Sequence, residues 1–171
     1  FKRTVDGRSY IFDESGRMLT GWFDEDGNQL DEDDNPLEEG VYYADADGAL
    51  KTESWLDYSQ LEIRGLEDLS SDISGRDYDE YDQVWLYFNN RSKKVKSNGG
   101  RLVQKNIDGS TYGFDEYGIM LPWWTKVASV SNADKSNPTS DVPAKFFAGY
   151  DGGSLLRNSW FWMYQIGRAS C

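Results

Sequence analysis

The sequence predicts a mainly β chain, a β-hairpin repeat solenoid with irregular inserts, one of which holds a short helix. Three observations lead there. The phrase YIFDESGRMLTGW at 10–22 returns at 112–124 as YGFDEYGIMLPWW, with Tyr10, Phe12, Asp13, Gly16, Met18 and Trp22 matched at unchanged spacing. Internal similarity of this kind is the mark of a repeat architecture. Aromatic residues make up 15% of the 171 residues while hydrophobic residues reach only 38%, so the apolar material is concentrated in rings. Each copy also carries its own polar turn signal, ending in glycine in all but the copy at 85–95.

The first copy sets the local reading. Tyr10, Ile11 and Phe12 favour a strand. Asp13 to Gly16 form a turn in which Gly16 takes positive φ, a conformation cheap only for glycine. Met18 and Leu19 begin a return strand, Gly21 bends the chain, and Trp22 projects to the next unit. Weaker copies follow at 41–55 (VYYADADGALKTESW), 85–95 (WLYFNNRSKKV) and 145–160 (KFFAGYDGGSLLRNSW). The hairpin units therefore fall near 8–22, 40–56, 84–97, 109–124 and 144–162 of a single array covering 1–171. The copies ending at Trp55 and Trp160 have one extra residue between glycine and tryptophan, to be absorbed by a longer return strand or a bulge. One hairpin is marginally stable alone. Stacked rings that each bury about 150–250 Å² would hold successive units together.

The inserts differ in kind. Residues 24–39 read as an acidic loop containing Pro36. Residues 57–82 are again acidic, and Leu61, Leu66, Leu69 and Ile73 make one stripe of a short helix. Residues 126–143 are rich in Ser, Asn and Pro, read as a loop or linker, and are the one plausible boundary.

Charge and missing residue types exclude several functions. Net charge is −12, which opposes nucleic acid, since that binding needs Lys and Arg on phosphates. There is no histidine, so Ser-His-Asp and Cys-His catalysis and imidazole zinc sites are excluded. Cys171 is the one cysteine and has no partner within the chain for a disulfide. Carboxylate pairs are inevitable among 30 acidic residues and single out no glycosidase site. The aspartates from Asp24 to Asp34 lack the fixed order of a calcium loop. The reading is of a non-enzyme with no cofactor and no metal. No apolar run reaches the ~18 residues of a membrane helix. The chain opens on Phe1, as a processed or excised segment would.

The pattern Y-x-F-D-E-x-G-x-M-L-x-x-W resembles the cell-wall-binding repeat family, which includes choline-binding modules of Gram-positive surface proteins, glucan-binding repeats of glucosyltransferases and the repetitive tails of clostridial toxins. The five copies cover about half the chain. The resemblance implies a β-hairpin solenoid, a secreted or cell-surface location and non-covalent attachment to a bacterial surface polymer, glycan or teichoic acid, without membrane insertion. In choline-binding members it implies an aromatic cage around a quaternary ammonium. That cage draws on the seventh and fifth positions before the turn glycine, on the closing Trp and on the Met after the turn. Ser9 and Ile11 in the first copy, and Thr111 and Gly113 in the fourth, supply no rings. The second copy offers Val41 and Tyr43 with Trp55. The third offers Trp85 and Tyr87, but Ser92 replaces its turn glycine and Lys94 falls in the Met place, where it would repel a bound ammonium. The scaffold is kept while the cage is mostly lost, which favours a sugar polymer over choline.

The candidate ligand-binding residues are Trp55, Trp85, Tyr87, Tyr43 and Trp160, which could present flat faces to sugars. Trp22 and Trp124 join them, although packing between units is the simpler role for both. The cluster Arg91, Lys93, Lys94, Lys96, Arg101 and Lys105 reads as a solvated face balancing the acidic inserts, or else as a patch for an anionic polymer. The expected function is a non-catalytic surface-binding module for a carbohydrate or teichoic-acid-like polymer. The alternatives are a choline-binding anchor and a structural spacer with no ligand.

Overall fold

The protein is described here by a computed structural model. It describes residues 2–58, 84–98 and 103–120, together with the backbone of 124–126 and 144–146. The expected helix at 61–73 lies outside the described residues, as does Trp160. The described residues are mostly strands in small antiparallel two-stranded sheets, with one short helix. Two compact units divide the chain, the first comprising Phe1–Leu66 and Trp85–Val95, the second Glu67–Val84 and Lys96–Cys171.

In the first unit β1 (Lys2–Val5) pairs with β2 (Arg8–Ile11) through a tight turn at Asp6 and Gly7, both at positive φ. β3 (Gly21–Phe23) is followed by α1 (Pro36–Glu39) and pairs with β4 (Tyr42–Ala44), placing Trp22 opposite Tyr43. β5 (Ser54–Asp57) pairs with β6 (Trp85–Phe88), placing Trp55 opposite Tyr87. In the second unit β7 (Val103–Ile107) pairs with β8 (Ser110–Phe114), and β9 (Trp124–Lys126) with β10 (Ala144–Phe146).

The pairing differs from the local hairpin expected within each copy. Met18 makes only a single bridge to Phe12, and the longer ladder runs from the Trp strand of one copy to the aromatic strand of the next. The phrase itself forms a turn, and among the described residues that turn occurs five times, at Asp13, Asp24, Asp45, Asn89 and Asp115. In each, the residue after next donates its N–H to Oδ1 of the Asp or Asn, at 2.8–3.0 Å. In each, too, the N–H three residues on returns to its carbonyl. That third residue sits at positive φ, as Gly16, Gly27, Gly48, Ser92 and Gly118. Asn89 keeps the Oδ1 acceptor that the turn requires, so it replaces aspartate without loss. Ser92 takes the left-handed position at φ 63°, buried, with its hydroxyl 2.6 Å from that of Thr52.

The segment read as an acidic loop therefore begins with a further copy of the turn. Phe23, Asp24, Glu25, Gly27 and Leu30 repeat Phe12, Asp13, Glu14, Gly16 and Leu19. A helix, α1, lies in this same insert: Asn35 caps it by accepting from the Leu37 N–H at 3.0 Å, and Pro36 occupies its first turn, where a missing N–H costs nothing.

Alternate turns of the first unit touch. Leu50, after the third turn, donates its N–H to the Ser9 carbonyl before the first at 2.8 Å. The Met18 side chain lies against Gly48, and Lys93 in the fourth turn forms an ion pair with Glu25 in the second. The core beneath is Ile11, Phe23, Ala44 and Leu50, with Leu19 and Tyr42 packed on it. Burying a phenylalanine such as Phe23 completely contributes about 1.5–3 kcal/mol.

Candidate functional site

Strand alternation sorts the aromatic residues of β3 to β6 onto two faces. Leu86 and Phe88 point into the core and are fully buried. Trp85 and Tyr87 share the other face of β6 with Trp55, which stands 5.1 Å from Tyr87 and 6.4 Å from Trp85 between ring centroids. The Trp55–Trp85 pair is edge-to-face at 88°. Trp55 and Trp85 are part-exposed and Tyr87 is buried.

A second group forms around Trp22. Its ring lies 5.0 Å from Tyr43, 6.1 Å from Tyr58 and 6.0 Å from Phe88. The approach of α1 is close: a Cβ at Gly40 would fall 2.6 Å from the Trp22 ring. Trp22, Tyr43 and Tyr58 line a pocket of about 650 Å³, with Thr20 at its edge. Asp31, Glu32, Asp33 and Pro36, from the insert that carries α1, line it as well. The insert holds its own shape: Asp34 accepts from the Asp31 N–H at 2.8 Å, and Asp31 from the Asp33 N–H at 2.8 Å. Tyr43 is the part-exposed ring of the three. Loss of water around its hydroxyl, and then the charge of Asp45, push its pKa above the ordinary tyrosine value.

The pocket thus joins aromatic residues to carboxylate hydrogen-bond acceptors, the combination that small-ligand sites use to fix orientation. Among the described residues no group of His, Cys, Asp and Glu could hold a metal ion. No helix is long and apolar enough to cross a membrane, among the described residues.

The structure brings Trp55, Trp85 and Tyr87 into one cluster, and Tyr43 and Trp22 into another. Trp124 stands opposite Phe146 in the β9–β10 register. The sequence reading missed Thr20, Tyr58 and the acidic residues Asp31, Glu32 and Asp33. Thr20 and Trp22 precede Gly27 by the same intervals at which Val41 and Tyr43 precede Gly48, so the copy at 24–29 was a signal for Thr20, whereas Tyr58 and the acidic residues carried none.

Neither a family model nor a curated protein sequence matches the chain. Solved structures do. Solved structures similar to this chain include choline-binding proteins of Streptococcus pneumoniae and a pneumococcal cell wall endolysin from phage Cp-1. Choline binding protein F from Streptococcus pneumoniae is 19% identical, covering 94% of this chain and 43% of its own, with a TM-score of 0.40. The choline-binding domain of CbpL from the same organism is 16% identical, covering 96% and 69%, at 0.31. The pneumococcal cell wall endolysin from phage Cp-1, complexed with choline, is 15% identical, covering 94% and 38%, at 0.42. The match thus takes in less than half of choline binding protein F and of the endolysin. They are of the type that the repeat phrase resembles.

Proposed function

We propose that the chain is a non-catalytic module that binds a carbohydrate polymer of a bacterial surface, outside the cell. The observation that carries this reading is the pocket lined by Trp22, Tyr43 and Tyr58 together with Asp31, Glu32 and Asp33. Sugar rings offer apolar faces to aromatic side chains and hydroxyl donors to carboxylate acceptors, and both partners are present here. The same acidic residues weigh against a teichoic-acid-like ligand at this pocket. Its phosphates would meet three carboxylates in a chain of net charge −12. The part-exposed Trp55–Trp85 pair is a second surface on which a long polymer could rest, and two weak sites on one polymer gain from avidity.

The test is retention on purified Gram-positive cell walls. Wild type is expected to cosediment, and Tyr43→Ala to lose at least tenfold in apparent affinity. Elution by a soluble wall oligosaccharide, but not by choline at millimolar levels, is the expected outcome. Elution by choline alone would replace the sugar with a choline anchor. No retention on any wall would leave a structural spacer.

A further inference from the structure

Lys94 is the residue at the bridge position of the fourth turn, where the other turns carry Met18, Gln29, Leu50 and Met120. It is 5% exposed, unusually buried for a lysine. Its backbone fixes it, because Lys94 bridges Phe88 and donates its N–H to the Val41 carbonyl at 2.8 Å. Its side chain then runs inward. The ammonium donates to the Leu37 carbonyl at 2.9 Å and reaches the Pro36 carbonyl at 3.4 Å. It also stands 5.7 Å from the centre of the Trp22 ring, within cation–π range. Around that ring are Tyr43, Tyr58 and Phe88. A charge taken out of water is costly unless it is hydrogen-bonded or paired, and two carbonyls and an indole face supply that here.

The geometry points to a primary-ammonium site at Trp22 that the chain fills with its own Lys94. The site has two requirements. The ring favours any cation, while the Leu37 carbonyl calls for an N–H donor; the Pro36 carbonyl already accepts the Gly40 N–H at 3.0 Å and is a secondary acceptor for the ammonium. A quaternary ammonium satisfies only the first. Lys94 is therefore a specificity-determining residue: it closes this aromatic box to free cations. It also ties α1, and with it the acidic insert, to the ring. This inference is independent of what the outer pocket holds.

The test is chemical rescue of stability. In Lys94→Ala the missing atoms Cγ, Cδ, Cε and Nζ have the shape of n-propylammonium. The variant is expected to melt at least about 4 °C below wild type. Millimolar n-propylammonium chloride should raise the melting temperature of the variant but not of wild type. Tetramethylammonium chloride and 1-propanol should not, since one lacks N–H donors and the other lacks charge. Lys94→Met, which keeps the stem without the charge, should also melt below wild type, and it guards against an alanine variant that fails to fold. Equal rescue by 1-propanol, stronger rescue by tetramethylammonium, no rescue of folded Lys94→Ala, or a Lys94→Met as stable as wild type would each overturn the assignment.

Discussion

Trp22 and Tyr43 stand opposite each other across β3 and β4, with ring centroids 5.0 Å apart and planes tilted by 52°. This pair joins the closing Trp of the first copy to the aromatic strand of the next, and Trp22 is 8% exposed. Trp22→Ala should cost about 3–5 kcal/mol of unfolding free energy, the range for deleting a large buried ring. Trp22→Phe should cost less. Equilibrium denaturation in urea measures both.

Gly40 predicts a cost that owes nothing to backbone strain. Its φ is −72°, which any residue adopts. A Cβ there would stand 2.4 Å from the Pro36 carbonyl oxygen and 2.6 Å from the Trp22 ring. Gly40→Ala should therefore destabilise by about 1–3 kcal/mol through overpacking. Gly27→Ala gives the contrast: it has open space around it and suffers only from φ +85°. A near-UV circular dichroism change at tryptophan should accompany the first variant and not the second.

Asp115 is fully buried and its Oδ1 accepts the N–H groups of Tyr117 and Ile119, both at 2.9 Å. Asp115→Ala leaves those donors unpaired and should cost about 1–3 kcal/mol. Asp115→Asn should cost less, because Asn89 already builds the same turn with an amide. Thermal unfolding of the two variants decides between an acceptor role and a charge role.

Acid should act in two stages. The Arg17 backbone N–H is the chief cause holding the Asp13 carboxyl below its ordinary 3.8. The Asn28 side chain, followed by its backbone N–H, does the same for Asp24. Folded-state values below the unfolded ones contribute stability that is present above pH 3.8 and is lost as pH falls through the lowered values. Glu39 runs the other way. Lost hydration, then the charge of Asp34, raise it above 4.5, so its cost at neutral pH is relieved as pH falls through its raised value. Melting temperature should hold or rise slightly toward pH 4.5 and then drop below pH 3.8. Asp13→Asn with Asp24→Asn keeps the acceptors without the titration and should flatten the acid limb.

Much of the fold was legible in particular residues. The glycines at the turns, Gly16 and Gly118, take the positive φ that their position after an acidic run implied. Aromatic strands and closing tryptophans meet between copies, as Trp22 with Tyr43 and Trp55 with Tyr87. The pairings of β3 with β4 and of β5 with β6 were not legible, because they bridge inserts and depend on tertiary packing, not on local propensity. The turn at Asp24 was hidden because Trp22 both closes one copy and opens the next. The helix at Pro36 had a readable signal in Asn35-Pro36, outweighed by the acidic run around it. For Lys94 the register position and the expectation of repulsion were legible. Only the fold brings it to Trp22 and the Leu37 carbonyl, turning a repelling charge into a resident one.

The most direct test of the central claim is a structure of the chain with a cell-wall oligosaccharide. The account predicts a sugar ring against Tyr43 and the edge of Trp22, with hydroxyls donating to Asp31, Glu32 or Asp33. An oligosaccharide bound elsewhere with that pocket empty, or a choline group enclosed by Trp22 with Lys94 displaced, would contradict it.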